Sequence, residues 1–189
     1  MIICGVIVEP NKLDNLKLVK PYHVARALGR IARFAGNTEE PCSVLNHSLA
    51  GAFYALAKWN DGGEAALAFL VHDAVEAVTG DITRPFKTEE QKLMESDVHV
   101  ALMNAWGLSF KLDTIEAVGW LDKAICNDEA HEYGLPGFPH GDSGDMMLRR
   151  IVRDVKIKFP FADHPDLWAL FHEVVTTKNP NLLDLAFKT

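Results

Sequence analysis

Apolar residues recur along most of the chain at spacings of three and four positions, which is the period of amphipathic α-helices. Pro21 fits the first position of a helix in which Leu28 and Ile31 share one apolar face, and this helix is predicted to end near Arg33. The amino end differs, because residues 1–9 are rich in Ile and Val and predict a short strand or hairpin. The pattern therefore predicts a mainly helical chain.

Capping residues, prolines and glycines divide the rest of the chain into six further predicted helices. Their spans run from Ser43 to about Trp59, over about 64–79, from Thr88 to near Gly107, from Asp113 to about Tyr133, over about 144–158 and over about 165–177. A capping box is predicted at two of the starts, Thr88 with Gln91 and Asp113 with Glu116. The sequence shows no repeat and no linker between two cores. We therefore expect a single all-α domain over residues 1–189, a bundle of six or seven helices with a short N-terminal β element.

Composition and charge narrow the classes of protein. With 189 residues and 48% hydrophobic residues, the chain is long enough to bury one sizeable core. The net charge of -7 argues against binding to nucleic-acid polymers or anionic membranes, which need basic patches. A small anionic substrate stays compatible with it, because a bound cation can reverse the local potential. No apolar run approaches the roughly 20 residues of a membrane span, and the amino terminus lacks signal-peptide features, so we expect a soluble, cytoplasmic protein.

The cysteines do not indicate a site. Cys4, Cys42 and Cys126 are odd in number, widely spaced and form no CxxC pair. Neither a disulfide framework nor a thiolate zinc site is therefore predicted, and the three residues are interpreted as small buried or neutral side chains.

The segment AFLVHDAVEAVTGD, residues 68–81, places charged side chains in an almost wholly apolar predicted helix. At about 100° per residue, Asp73 lies about 100° and Glu76 about 40° from His72, so the three side chains share one arc. An unpaired ionised carboxylate in a buried helix is strongly disfavoured, and a metal ion bound by His72 and Asp73 would neutralise it. A structural hydrogen bond in the core or a solvent-facing pair would also explain a lone His-Asp pair.

Polar residues on two other predicted helices bear on this choice. Asp122 lies in an apolar stripe, within about 60° of Val118 and Ile125, and needs a buried partner. Glu129 lies on the same face, where a structural salt bridge is favoured over a role behind a metal ligand. His47 lies on a face of small residues that would let another helix or a ligand approach closely, although a lone histidine is more often a satisfied core or surface residue. The remaining histidines are interpreted as structural or exposed: His23, His99, His131, His140, His164 and His172.

His47, the pair His72-Asp73 and Asp122 follow one another as H, HD and D on separate predicted helices, and this order resembles the HD-domain metal-dependent phosphohydrolase superfamily. The segment VHDAVEAVTGDITRPFK is similar to one found in bacterial 5'-deoxynucleotidases and in small phage dNTP phosphohydrolases. The segment RFAGNTEEPCSVLNHSLAG is similar to their upstream segment, an Arg-aromatic pair before a Ser-Val-x-x-His helix start. The resemblance covers about residues 20–133 and is closest to the phage branch, some of whose members are dATP triphosphohydrolases.

The resemblance implies both a fold and a metal centre. It implies that the helices form an HD-domain bundle in which one divalent metal ion is bound by His47, His72, Asp73 and Asp122. Two imidazoles and two carboxylates suit Mn²⁺, Co²⁺, Zn²⁺ or Mg²⁺, with positions left open for water and phosphate oxygens.

Further site residues are implied in the same way. Glu76 would orient or deprotonate the attacking water, and Asp81 would assist at the leaving oxygen. Arg33 would hold phosphate and Phe34 would pack on the base or sugar, whereas Lys87 would either contact phosphate or be solvated. Without the resemblance, Arg33 would be interpreted as a cation near a helix C-terminus. Characterised members of the family that the chain resembles carry tryptophan at the position of Phe34, which leaves the base preference open.

The implied function is hydrolysis of 2'-deoxynucleotides, releasing either phosphate from monophosphates or triphosphate from dNTPs. Relatives form dimers or larger rings, which implies a homo-oligomer, located in the host cytoplasm if the chain is phage-encoded. Two alternatives stay open: an HD-fold nucleotide sensor or regulatory module without turnover, and a structural helical domain whose polar cluster is a buried network. Glu76 and Asp81 favour the enzyme, because a sensor has no need of carboxylates that act on water.

Overall fold

The computed structural model describes residues 2–3, 6–7, 13–61, 63–82, 86–136, 143–160 and 163–188. Within these residues the chain forms nine α-helices: α1 Pro21–Leu28, α2 Val44–Lys58, α3 Glu64–Val71, α4 Glu76–Thr79, α5 Glu89–Trp106, α6 Leu112–Glu132, α7 Met146–Lys158, α8 Pro165–Thr177 and α9 Asn181–Lys188. A 3₁₀ segment, Leu13–Leu18, lies before α1, and a tight turn over Arg33–Gly36 lies after it. The prediction of an all-α fold is confirmed. No helix in the described part of the chain is both long enough and apolar enough to span a bilayer.

The amino end carries two very short strands, β1 (Ile2–Ile3) and β2 (Val6–Ile7), which pair antiparallel. The residues around them lie outside the described residues. The strand or hairpin predicted over residues 1–9 therefore stays a prediction.

The predicted number of six or seven helices is too low for two reasons. The helix predicted over about 64–79 is interrupted, so that α3 ends at Val71 and α4 begins at Glu76. The second reason is α9, which follows Pro180 and buries Leu183 completely. It has only eight residues, too few for a helical period to stand out in the sequence.

α1 is shorter than predicted, because it ends at Leu28 rather than near Arg33. Beyond it the chain becomes extended, and Ala32 lies opposite Ser43 in an antiparallel bridge. The Arg33 N–H donates to the Cys42 carbonyl at 2.8 Å. This pairing between separate segments replaces the last predicted helical turn, and it brings Arg33 next to the start of α2.

Two of the predicted helix starts are confirmed by their hydrogen bonds. At α2, the Asn46 N–H donates to Ser43 Oγ at 3.1 Å, and the Ser43 N–H donates to Asn46 Oδ1 at 3.2 Å. Thr88 and Gln91 form the same reciprocal pair at the start of α5. Local side chains therefore determine where these two helices begin.

The capping box predicted for Asp113 and Glu116 is wrong. The residue before α6 is Lys111, which makes no capping hydrogen bond with its own side chain. Instead, the Glu64 carboxylate at the start of α3 accepts the Lys111 N–H at 3.1 Å and the Thr114 hydroxyl at 3.1 Å. A carboxylate from another helix therefore satisfies the start of α6, and a local sequence pattern cannot reveal such a contact.

α2 is the central helix of the bundle and packs on α3, α6 and α7. It is buried from Val44 to Ala55, and α3 is buried from Ala65 to Val71. The two helices approach closely at Gly51, where a Cβ atom would come within 2.0 Å of the Phe69 ring. This close approach brings His47, one turn before Gly51, to the carboxyl end of α3.

Replacing Gly51 with alanine is expected to destabilise the protein by about 1–3 kcal/mol, because the added methyl group must displace a buried ring. Gly119→Ala is the matched control, since Gly119 lies on an exposed face of α6 and, apart from its chain neighbours and the backbone of its own helix, no described atom lies within 4 Å of the added methyl group. That change should be neutral or stabilise the helix by up to about 1 kcal/mol. Urea unfolding of both variants measures the difference, and equal effects would contradict the packing of α2 on α3.

Candidate metal centre

Three parts of the fold that are far apart in sequence meet at one point: α2, the turn between α3 and α4, and α6. His47, His72 and Asp122 each offer one ligand atom there, and these atoms all lie within 4.8 Å of one another. His47 Nε2 is 3.3 Å from His72 Nε2 and 3.4 Å from Asp122 Oδ1. His72 Nε2 is 4.0 Å from Asp122 Oδ1. This group could hold a metal ion.

Asp73 adds a second carboxylate beside this group. Its Oδ2 lies 3.2 Å from His72 Nε2 and 3.6 Å from His47 Nε2. Two donors that bind one ion at about 2.1 Å are about 3 Å apart at a right angle and at most about 4.2 Å apart. The separations that involve the two Nε2 atoms, from 3.2 Å to 4.0 Å, lie within that range. His47, His72 and Asp122 therefore form a donor group that fits a divalent ion, and Asp73 lies beside both imidazoles.

The turn between α3 and α4 determines where His72 and Asp73 point. Here backbone N–H groups bond carbonyls three positions back rather than four, for example Glu76 to Asp73 at 2.9 Å. The His72 ring also competes for the Phe69 carbonyl, with its Nδ1 2.6 Å away. A tightened 3₁₀ stretch within a helical segment often marks a functional hinge or a strained sequence. The regular helix predicted through these residues is therefore wrong at residues 72–75.

Both imidazole rings are held through Nδ1, which leaves Nε2 facing the cluster. His72 Nδ1 bonds the Phe69 carbonyl, and His47 Nδ1 lies 3.1 Å and 3.0 Å from the two carboxylate oxygens of Glu129. Since a carbonyl and a carboxylate accept hydrogen bonds, each Nδ1 carries a proton. In a neutral ring the lone pair of Nε2 then points into the cluster, which is the arrangement of metal-binding histidines.

The cluster is strongly coupled electrostatically. Burial raises the pKa of Asp73, but the neighbouring His72 holds that pKa well below its usual range. Burial also raises the pKa of Asp122, and the hydrogen bond and charge of His47 hold it below its usual range. Burial lowers the pKa of His47, but Glu129 and Asp122 raise it overall. Protons and a metal ion would therefore compete for the same imidazole nitrogens.

Glu76, the first residue of α4, is 6% exposed. Its Oε2 is buried and has no hydrogen-bond partner among the residues that the structure describes. Burial and the nearby charges of Asp73 and Asp81 raise the pKa of Glu76 to about 9. A buried carboxyl oxygen without a partner is costly, so it indicates a group that is satisfied by something the protein binds.

Asp81 and Lys87 follow α4 and share the electrostatic surroundings of Glu76. Burial raises the pKa of Asp81, although Arg33 acts against it. Lys87 is ion-paired, because its Nζ donates to Glu95 Oε2 on α5 at 2.9 Å. The prediction that Lys87 contacts phosphate therefore requires it to leave or share this partner.

Arg33 points into the protein and is 7% exposed. Its Nη1 lies 3.5 Å from Asp73 Oδ2, and its Nε lies 3.2 Å from Glu129 Oε2. Its Nη2 donates to Cys126 Sγ at 2.9 Å. The guanidinium therefore lies against a predicted metal ligand, and its role as a phosphate contact stays a prediction.

The segment after Arg33 forms a left-handed turn. Phe34, Ala35 and Gly36 have φ values of 54°, 50° and 72°. Non-glycine residues reach this conformation at about 1–2 kcal/mol each, and such strain concentrates at functional sites. The Asn37 side chain stabilises the turn by donating to the Phe34 carbonyl at 2.9 Å. The turn keeps the half-buried Phe34 ring against the guanidinium of Arg33, whose Cζ is 5.5 Å from the ring centroid.

Replacing Ala35 with glycine is expected to stabilise the protein by about 0.5–1 kcal/mol, because glycine adopts a positive φ without strain and Ala35 is exposed. The control is Ala105→Gly in the last turn of α5, also exposed, where the same change should destabilise the helix. Denaturant melts of the two variants give the comparison. A loss of stability in both would show that the left-handed turn is not strained.

Two further residues lie near the cluster that the sequence did not select as site residues. His99 on α5, interpreted as structural or exposed, is partly buried, and burial and then the charge of His72 lower its pKa. Cys126 contacts Arg33 and lies 3.7 Å from Asp122 Oδ1. His99 comes to the cluster from a different helix, for which the sequence carries no local signal, whereas Cys126 lies one helical turn beyond Asp122 on the same face of α6.

The structure brings the predicted ligands, Glu76 and Arg33 into one region, and Phe34 lies against Arg33. No family model matches the chain, and no curated protein matches it. The geometry and chemistry of these residues are therefore what support a function.

Proposed function

We propose that the protein is an HD-domain phosphohydrolase that uses a divalent metal ion to hydrolyse 2'-deoxynucleotides. The observation that carries the proposal is the convergence of two anchored imidazoles and two carboxylates from α2, the α3–α4 turn and α6. His47 Nε2 and His72 Nε2 are 3.3 Å apart, and each ring donates a hydrogen bond from its Nδ1–H to an acceptor outside the cluster.

A buried structural network explains this arrangement less well. In neutral rings the two Nε2 lone pairs would face each other at 3.3 Å, which is unfavourable unless a cation or protons lie between them. A divalent ion satisfies both lone pairs and the two carboxylates at once. Mn²⁺, Co²⁺, Zn²⁺ and Mg²⁺ all accept such mixed donors, and the proposal includes any of these four ions.

When bound, a divalent ion at this position would polarise a phosphoryl oxygen, lower the pKa of water and favour the ionised form of Glu76. We assign Glu76 as the group that orients the attacking water and takes its proton at Oε2. The buried position of this oxygen, and its lack of a described partner, support the assignment. Asp81, which follows Gly80 at the end of α4, would hold the proton at the leaving oxygen.

The remaining predicted contacts concern the substrate. Arg33 and Lys87 are the cations whose charges oppose the rise in the pKa of Glu76, and they would face the phosphates after exchanging part of their ion pairs. Phe34 would present an apolar face to the base or sugar. The substrate would be a small deoxynucleotide rather than a nucleic-acid polymer, and the enzyme would act as a cytoplasmic homo-oligomer.

A nucleotide panel tests this function. Deoxynucleoside mono-, di- and triphosphates and their ribonucleotide counterparts are incubated with Mn²⁺, Co²⁺, Zn²⁺ or Mg²⁺, and the products are identified. We expect release of phosphate or triphosphate from deoxynucleotides that stops when a chelator is added. Nucleotide binding without any product would support the sensor, whereas a metal-free protein that is indifferent to chelators would support the structural network.

A further inference from the structure

Glu129 is the most deeply buried carboxylate next to the cluster. It is 1% exposed and lies on α6, two turns beyond Asp122. Its two oxygens lie 3.1 Å and 3.0 Å from His47 Nδ1, so this carboxylate spans the edge of the imidazole that faces away from the cluster. The sequence favours a structural salt bridge for this residue, and the structure adds a histidine to its contacts.

This contact determines the tautomer of His47. A carboxylate can only accept, so the proton of the neutral ring stays on Nδ1 and the lone pair on Nε2. It also holds the ring plane, because both carboxylate oxygens approach the same nitrogen. In metal sites a carboxylate behind a histidine ligand raises the basicity of the ligand and fixes its direction.

Arg33 connects this carboxylate to a second predicted ligand. Its Nε lies 3.2 Å from Glu129 Oε2, while its Nη1 lies 3.5 Å from Asp73 Oδ2. One buried guanidinium therefore neutralises the carboxylate behind His47 and contacts the carboxylate of Asp73 in the cluster. The ion pair between Arg33 and Glu129 offsets part of the cost of burying this carboxylate.

We infer that Glu129 is a positioning residue, which holds His47 with Nε2 directed at the metal and is itself held by Arg33. The inference rests on the proposed metal centre. It also gives Arg33 a role in the site before any substrate binds, in addition to the predicted phosphate contact.

The test compares Glu129→Gln and Glu129→Asp with the parent protein in the full chain. Glutamine keeps the shape but can donate to Nδ1 as well as accept from it, and aspartate keeps the charge but is one methylene shorter, which draws the carboxylate back from His47. Glu116→Gln is the matched control, because it makes the same chemical change at an exposed position of α6. Circular dichroism and thermal melting establish that each variant is folded.

Two measurements test the variants, and neither depends on catalytic activity. Titration with Mn²⁺ should show an affinity about 10–100-fold weaker in both Glu129 variants and unchanged in Glu116→Gln. Nitrogen NMR of the metal-free protein, at a pH where the His47 ring is neutral, should show the proton on Nδ1 in the parent and a mixture of tautomers in Glu129→Gln. A His47→Gln variant identifies the His47 signal.

The outcomes separate the inference from the proposed function. Folded Glu129 variants that bind Mn²⁺ as the parent does and keep its tautomer would overturn the positioning role. If the variants fail to fold, the parent protein still tests the positioning role, because a neutral His47 ring with its proton on Nε2 would overturn that role as well. Failure of the metal centre itself would appear differently, as a parent protein that binds no Mn²⁺.

Discussion

Replacing Glu76 with glutamine is expected to lower kcat/KM for the best deoxynucleotide by about 10²–10⁴-fold, while fold and metal content stay at the level of the parent. Glutamine has nearly the same shape as glutamate but cannot take a proton from water. Because Glu76 Oε2 has no hydrogen-bond partner among the described residues, its replacement breaks no structural contact there. The loss should therefore appear in kcat rather than in stability.

Steady-state kinetics and metal content per chain, measured on the same preparations, check this result. Glu90→Gln serves as the control, because Glu90 is exposed in the first turn of α5. Parental activity in Glu76→Gln would remove the assigned role. Loss of metal together with activity would instead place Glu76 among the ligands.

Replacing Asp122 with asparagine is expected to remove metal and activity together. The amide keeps the size of the side chain but lacks the charge that balances a divalent ion, and a neutral amide oxygen in the position 3.4 Å from His47 Nε2 is a weaker ligand than a carboxylate oxygen. The affinity for metal should fall by more than the about 10–100-fold that residues behind the ligands contribute. Asp73→Ala should behave in the same way, since its Oδ2 lies 3.2 Å from His72 Nε2.

Elemental analysis and nucleotide hydrolysis measure this effect, and Asp113→Asn in the exposed first turn of α6 is the control. The contrast with Glu76→Gln separates ligands from the residue that acts on water. An Asp122→Asn protein with full metal content and full activity would show that the ion, if there is one, binds elsewhere.

Local sequence signals predicted those parts of the fold that depend on neighbouring residues. The starts of α2 and α5 follow from Ser43 with Asn46 and from Thr88 with Gln91, which bond across three positions. Where a distant segment competes, the local signal fails. Glu64 from α3 takes the place of the Asp113 box at α6, and the bridge between segments before and after the Arg33 turn shortens α1.

In the candidate site too, the features that depend on neighbouring residues could be predicted, and those that depend on distant segments could not. A charged residue in an apolar stripe is visible in the sequence, so His72, Asp73 and Asp122 could be selected without a structure. Their meeting with His47 depends on the close packing of α2 and α3, which the sequence indicates only through the small residues on the face of His47, Gly51 among them.

The sequence could not predict how the side chains of the site are oriented. The extended backbone before the left-handed turn directs Arg33 inward, onto Asp73 and Glu129. The hydrogen bond that His47 Nδ1 donates to Glu129 joins α2 to α6 across the core. Both contacts are set by tertiary packing rather than by the spacing of residues.

Anomalous diffraction from crystals grown with Mn²⁺ tests the metal centre most directly. We expect a single anomalous peak within about 2.0–2.3 Å of His47 Nε2, His72 Nε2 and the carboxylate oxygens of Asp73 and Asp122. A cluster with no anomalous peak, or a peak bound by other residues, would contradict the account.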